Sequence, residues 1–396
     1  HWADWLNIKH LSKTLPDEFK EWYDQEEYAR SQEYTRVNTK FEFITSTVGL
    51  IAILVFWFAG GFNALDVWVR SWGYGELVTG LFYIGLLMLL RGVLSLPFSI
   101  YSTFVIEEKF GFNRTTVKTF ILDMLKGLLL GLLLGVPLLA GILAFFMYAG
   151  EWAWLYAWIV TTVFTLIIQF IAPRWIMPLF NKFNPLEEGE LREKIFDYAR
   201  SVGFSLQNVF VMDGSKRSSK SNAFFTGFGK NKRIALFDTL IEKHTNDELL
   251  TVLAHEIGHF KKKHIIKGMI TSIVHSGIVF FLLSVFITHA GLFEAFYMEN
   301  PSVYAGLIFF GMLYSPIEMI LSIFMSKVSR KHEYEADRFA VKTTEKVESF
   351  ITALKKLSVH NLSNLTPHPV YVFLNYSHPP ILKRIKHVRN IANTAS

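Results

Sequence analysis

Six apolar runs, each long enough to cross a bilayer, constrain this chain more than any other feature of its sequence. A transmembrane helix needs about 20 apolar residues, because the hydrocarbon layer is about 30 Å thick. With 51% hydrophobic residues and 37 Phe, the chain would overfill any soluble core. We therefore predict an α-helical integral membrane protein with six spans. The runs lie at 41–62, 77–106, 119–149, 152–172, 265–288 and 302–325.

Charge predicts the orientation of these spans. Nearly all of the 40 Lys and Arg lie in segments that six spans place on one side, and the loops of the opposite side carry only Arg70. Because Lys and Arg accumulate in cytosolic loops, we expect the polar segments to be cytosolic, at an endoplasmic reticulum membrane in a eukaryote or the inner membrane in a bacterium. The net charge of +6 indicates no nucleic-acid partner. The absence of Cys excludes disulfides, thiolate metal sites and a Cys nucleophile.

The polar segments and spans divide the chain into five parts. In order, these are a charged, aromatic segment expected at the cytosolic interface (1–40), four spans with short loops (41–172), a soluble α+β insertion (173–264), two spans (265–326) and a cytosolic helical segment (327–396). Within the insertion, residues 189–202 predict a helix. Short runs at 208–212, 222–226 and 233–237, separated by polar and Gly-containing turns, predict three short strands.

The insertion ends in a helix with a metal-binding spacing. Thr245 followed by Glu248 forms a capping box, and apolar residues recur after it with helical spacing, which predicts an amphipathic helix. His255 and His259, four residues apart, share one face and can bind one tetrahedral cation about 2.0–2.1 Å from each nitrogen. Glu256 can reach a water held by that cation. Two surface histidines on a basic helix remain the alternative until a third ligand is found.

The third ligand is expected on the same side of the membrane. The last two spans form an out-and-back pair, so the chain returns to the cytosolic face just before Glu333 and Asp337, four residues apart on a continuing helix. Glu333 can complete a His, His, Glu site, and Asp337 can orient an imidazole from behind. Three protein ligands and one open position are typical of catalytic zinc. The sequence therefore predicts one Zn²⁺ per chain.

Five motifs in order carry a family resemblance over essentially the whole chain. They are EEKFGFN at 107–113, DGSKRSSKSNAFFTGF at 213–228, HEIGH at 255–259, HEYEAD at 332–337 and YSHPP at 376–380. On these motifs the chain resembles the type I CAAX prenyl endopeptidases, membrane zinc proteases of the gluzincin group. The resemblance implies seven helices that enclose a large chamber, with the zinc site facing it near the cytosolic side. Because six spans are present, we expect the family's first helix to precede His1.

The resemblance also assigns individual residues. It places zinc on His255, His259 and Glu333 and makes Glu256 the general base, in agreement with the spacing.

For substrate binding, the resemblance matches Asn222, Ala223 and Phe224 to an edge strand beside the metal, to which an extended peptide can add. It matches His378 to a histidine that hydrogen-bonds the tetrahedral oxyanion. From the residues alone, a turn residue is the alternative interpretation of Asn222, and a helix-start residue is that of His378.

The reaction that the resemblance implies is removal of the last three residues from a C-terminal CaaX peptide whose Cys carries a farnesyl or geranylgeranyl group. We expect a monomer in the lipid bilayer acting on such prenylated peptides or on other C-terminal peptides. Arg91, His275 and Glu318, which are ionisable and lie within spans, are expected to line the chamber or to pair.

Three other functions remain open from the sequence. A site-two-type intramembrane protease is disfavoured, because here HExxH lies on a charged helix and Asp213-Gly214 lies upstream of it. A quality-control zinc protease of the heat-shock type would share the chemistry and differ in substrate. A transporter or scaffold with incidental histidines would bind no zinc.

We predict that no native glycosylation acceptor is modified. Asn113, Asn361, Asn364 and Asn375 fit the Asn-x-Ser/Thr pattern, and all four fall on the Lys/Arg-rich side. The test is expression in a eukaryotic secretory membrane, followed by a search for a mass shift that glycosidase removes. Sugar on Asn361 or Asn364 would place the HExxH helix in the lumen and contradict access to cytosolic CaaX termini.

Overall fold

The computed structural model describes residues 1–226 and 233–395, and most of them are helical. The last two residues of the motif at 213–228 lie outside this described part. The helices are α1 (Trp2–His10), α2 (Gln25–Phe58), α3 (Gly61–Arg70), α4 (Glu76–Tyr101), α5 (Val117–Leu130), α6 (Val136–Tyr148), α7 (Ala153–Ile171), α8 (Glu190–Ser201), α9 (Asp238–Lys243), α10 (Asn246–Lys261), α11 (His264–Phe286), α12 (Ala290–Glu294), α13 (Val303–Thr344), α14 (Val347–His360), α15 (Pro369–Asn375) and α16 (Ile381–Ala395), and the strands are β1 (Phe183–Pro185), β2 (Val209–Met212), β3 (Ala223–Thr226) and β4 (Arg233–Phe237).

Six helical stretches in the described part of the chain are long and apolar enough to cross a membrane, which confirms the six predicted spans. Several are extended by turns of π-helix, so that α5 and α6 form one continuous stretch. Large apolar side chains on them, such as Leu129 and Leu133, are exposed at the protein surface. Lipid is the solvent that such a surface requires. The stretches are Gln25–Phe58, Glu76–Glu107, Val117–Tyr148, Gly150–Leu179, His264–Phe286 and Val303–Thr344.

The first spanning helix differs from the predicted run at both ends. It begins far earlier, because the Asp24 carboxylate caps it by accepting a 2.7 Å hydrogen bond from the Glu27 amide. It ends at Phe58, before the predicted limit, and Gly60 with φ of 73° turns the chain into α3.

The first 40 residues are also more deeply packed than an interfacial segment. Phe19, Tyr23 and Tyr28 are buried in the core of the soluble part, beside α10 and α14. Only α1, with Trp2 and Trp5 exposed, presents the aromatic surface expected at an interface.

The soluble part contains a four-stranded sheet in the order β1-β2-β4-β3. Strands β2 and β4 are parallel, with Val209 opposite Ile234, whereas β1 and β3 are antiparallel to their neighbours. The three longer strands lie where the sequence predicts them. Strand β1 was missed, because three residues ending in Pro185 give no periodic signal and Pro is tolerated only at such an edge. Strand β3 forms the other edge of the sheet.

The contact between α10 and α13 positions the predicted site. Helix α10 begins at Thr245 with the predicted capping box, in which the Glu248 carboxylate accepts from the Thr245 amide at 3.0 Å. The two helices approach so closely that a Cβ added to Gly258 would lie 3.2 Å from the Cα and carbonyl oxygen of Ala336. Glycine allows this approach without any shift of the neighbouring backbone, and Ala336 and Ala340 on α13 are fully buried beside it.

Two of the three ionisable groups singled out within spans do pair. His275 Nε2 on α11 lies 3.2 Å from Glu318 Oε2 and 3.0 Å from the Tyr314 hydroxyl on α13. Arg91 is exposed on α4. The pair braces the two helices that lead from HExxH to Glu333.

We predict that Gly258→Ala destabilises the protein by about 1–3 kcal/mol, as overpacking of a dense core does. The added methyl meets the backbone of Ala336, which would have to shift by a few tenths of an ångström. The matched control is Gly268→Ala on α11, where an added Cβ has nothing within 4 Å. Thermal unfolding in detergent measures both, and a Gly258→Ala midpoint equal to wild type would contradict the close approach of the helices.

Candidate metal centre and substrate cavity

The structure brings His255, His259 and Glu333 together, with one ligand atom of each within 4.8 Å of the others. The two Nε2 atoms are 3.1 Å apart. Glu333 Oε2 lies 3.5 Å from His255 Nε2, and Glu333 Oε1 lies 3.3 Å from His259 Nε2. The i, i+4 spacing on α10 and the close packing of α13 against it create this juxtaposition.

A metal fits this donor set. Glu333 Oε2 is buried and, among the residues that the structure describes, has no close hydrogen-bond donor, since His255 Nε2 lies 3.5 Å and Arg384 Nη1 3.7 Å from it. A bound cation would stabilise a buried carboxylate oxygen that lacks a close donor. Two imidazoles and one carboxylate suit a divalent metal of the zinc type and leave a fourth position free.

Asp337 lies behind His255. Its Oδ1 is 2.9 Å from His255 Nδ1, and the carboxylate is fully buried. Arg384 on α16 donates to both of its oxygens, from Nε at 2.9 Å and from Nη2 at 2.5 Å. The guanidinium therefore balances a carboxylate that would otherwise be an unpaired buried charge.

The pKa of His255 reflects these neighbours. Burial by itself lowers the pKa of the imidazole, but the hydrogen bonds with Asp337 and Glu333 outweigh burial and raise the pKa to about 9. The two carboxylates therefore favour the protonated form of His255. A metal that binds there must displace the proton, so metal affinity falls as the pH falls below about 9.

The ligand side of α10 opens into a cavity of about 540 Å³. Glu256 lines this cavity together with His378. His378 Nε2 lies 3.3 Å from Glu333 Oε1, and its side chain is 66% exposed, so it can also reach a bound molecule. Arg330 on α13 donates to the backbone carbonyl of Tyr376, which fixes the turn that carries His378.

Strand β3 forms one wall of the cavity. Asn222 and Ala223 line it, whereas Phe224, the third residue assigned by resemblance, does not, and Phe225 takes its place. Side chains alternate along a strand, so Ala223 and Phe225 face the cavity while Phe224 packs against Phe237.

Sequence reasoning missed three residues beside the ligands. They are Arg384, which contacts Asp337, and the pair His264 and Glu335, which lies behind His259. Arg384 carries no signal in the sequence, since it is 47 residues from its partner. His264 could have been noticed, because it follows HExxH at the start of the next helix.

Two family models match the chain. Residues 4–182 match a model described as CAAX prenyl protease N-terminal, five membrane helices, and residues 185–392 match Peptidase family M48. Together the two models span nearly the whole chain.

Individual relatives match over similar lengths. The protein named CAAX prenyl protease 1 from Saccharomyces cerevisiae is 37% identical over 404 residues, which covers 95% of this chain and 88% of the yeast protein. The Homo sapiens protein named CAAX prenyl protease 1 homolog is 35% identical, with coverage of 95% and 89%. The crystal structure of S. mikatae Ste24p superposes with a TM-score of 0.92 at 35% identity and covers 98% of this chain and 95% of that one.

Proposed function

The chain belongs to the M48 peptidases of the CAAX prenyl protease type, which are membrane metalloproteases, and from this premise we propose its metal, residue roles and substrate. We propose that it holds one zinc ion on His255, His259 and Glu333 and removes the C-terminal tripeptide from prenylated CaaX proteins. The observation that carries the proposal is the convergence of these three ligand atoms beside Glu256, in a cavity walled by an edge strand.

Zinc held by His255, His259 and Glu333 would supply Lewis-acid chemistry, which makes a water acidic enough to lose a proton near pH ~7. Glu256 accepts the proton of the attacking water and then delivers it to the leaving amine. His378 donates a hydrogen bond to the developing oxyanion, because its exposed imidazole lies on the open side of Glu333.

The cavity suits an extended peptide that ends in aliphatic residues. Among described residues, β3 is paired only with β4, so its outer edge is available for strand addition by a substrate. Val252, Phe350 and Leu354 also line the cavity and give it apolar surface. The apolar membrane-spanning helices place a lipid environment next to this site, where a prenyl group can be held.

The Lys and Arg distribution supports a cytosolic site, where CaaX termini are found. The ligand set and the cavity are complete within one chain, which supports a monomer. The relatives described above favour the CAAX type over the heat-shock and site-two alternatives. The ligand geometry disfavours a transporter with incidental histidines.

We expect the purified protein to contain one zinc per chain and Glu333→Ala to lose most of it. The variant removes the only carboxylate among the three ligands. Elemental analysis and a chelator competition would measure content and affinity, with Glu348→Ala on the exposed start of α14 as the matched control. Full zinc at unchanged affinity in Glu333→Ala would show that the ligand assignment is wrong.

We expect Glu256→Gln to keep the fold and the zinc but to cleave a prenylated CaaX peptide about 10²–10⁴-fold more slowly, because the amide cannot accept the proton. The control is Glu242→Gln, an exposed carboxylate on α9 that is not among the residues lining the cavity. Product release would be followed by mass spectrometry at saturating peptide. Cleavage at the wild-type rate would remove Glu256 from the mechanism.

A further inference from the structure

The side of His259 that faces away from Glu333 is held by a second histidine. His259 Nδ1 lies 3.1 Å from His264 Nδ1. His264 Nε2 in turn lies 2.9 Å from Glu335 Oε2. A continuous chain of hydrogen bonds therefore runs from the ligand imidazole through a second imidazole to a carboxylate.

The chemistry gives this chain one direction. When His259 Nε2 binds a metal, the neutral imidazole carries its proton on Nδ1 and must donate it. His264 Nδ1 must then be the unprotonated acceptor, so His264 carries its own proton on Nε2 and donates it to the Glu335 carboxylate, which can only accept. The carboxylate thus fixes the tautomers of both rings.

We propose that His264 and Glu335 are positioning residues that hold His259 in the tautomer and orientation required for metal binding. The inference rests on the metal site of the proposed function. Asp337 orients His255 by direct contact, whereas Glu335 orients His259 through the intervening ring of His264.

The fold holds His264 in this position. It is the first residue of α11, directly after Lys263, whose φ of 58° turns the chain between α10 and α11. The ring is buried, and the ring of His332 stacks on it at 3.9 Å. Since Glu335 lies two residues after Glu333, one helix carries both the third ligand and the end of the hydrogen-bond chain.

The surroundings of Glu335 favour its ionised form. Its outer side opens into a groove of about 700 Å³ that is lined by Lys262, Lys331 and Arg338 and holds no second acidic side chain. Lys331 Nζ lies 3.9 Å from Glu335 Oε1. A carboxylate among cations stays charged and remains a strong acceptor for His264.

The test compares zinc affinities of the intact protein in detergent, measured by competition with a chelating dye. We expect His264→Ala to weaken zinc binding by about 10–100-fold, as removal of such hydrogen-bonding partners does. Glu335→Ala should weaken it in the same direction. In His264→Gln, the side-chain carbonyl can accept from His259 and the amide can donate to Glu335, so this conservative variant should recover most of the affinity.

His332→Ala is the matched control for packing. It removes an imidazole that stacks on His264 but makes no hydrogen bond in the chain, so it should weaken zinc binding less than His264→Ala does. Equal losses in His332→Ala and His264→Ala would show that packing, rather than the hydrogen-bond chain, holds the site. Unchanged affinity in His264→Ala, or no recovery in His264→Gln, would also overturn the proposal.

Failure of this inference is separable from failure of the proposed function. A wild-type protein that cleaves CaaX peptides, with a His264→Ala variant that binds zinc as tightly, contradicts only the positioning role. If the wild-type protein and its variants show the expected zinc affinities but the wild type cleaves no CaaX peptide, only the proposed substrate is contradicted. A wild-type protein that binds no zinc contradicts both.

Discussion

The close packing of α10 against α13 is the constraint on which the rest of the structure depends. Gly258 lets the helix backbones approach to a distance at which one added methyl would meet the backbone of Ala336. At that distance Glu333 reaches both histidines of α10. Because a protein interior is densely packed, a shift of a few tenths of an ångström at Gly258 is transmitted to the ligands.

The two histidine ligands are held by different kinds of partner on the side away from the ligand atom. His255 contacts the Asp337 carboxylate through Nδ1, and Arg384 on α16 balances the buried charge of that carboxylate. Breaking such a buried pair typically costs about 3–5 kcal/mol of stability. The packing of α16 against the site therefore depends on the pair between Arg384 and Asp337. His259 reaches a half-exposed carboxylate, Glu335, through His264 instead. His255 is thus held by a carboxylate in the core, and His259 is held through His264 by a carboxylate near the surface.

The membrane spans determine where these helices meet. Helix α11 begins at His264, three residues after α10 ends at Lys261, and α13 returns from the far side of the bilayer to place Glu333 beside α10. The pair between His275 and Glu318 ties the two spans together at mid-length. A soluble segment could supply the same ligands, but rigid rods anchored in lipid hold their ends in a fixed register, which a metal site requires.

The sequence by itself determined the elements whose signal is local. Apolar length fixed six spans, the capping box fixed the start of α10, and the spacing of His255 and His259 fixed a shared face, since each depends on neighbours within a few residues. Tertiary structure alone decided that Arg384 neutralises Asp337, that His264 and Glu335 stand behind His259, and that Phe225 rather than Phe224 lines the cavity. These contacts join distant segments or depend on which face of a strand is turned inward. Both the contacts between distant segments and the inward face of a strand are determined by the packing of the folded chain.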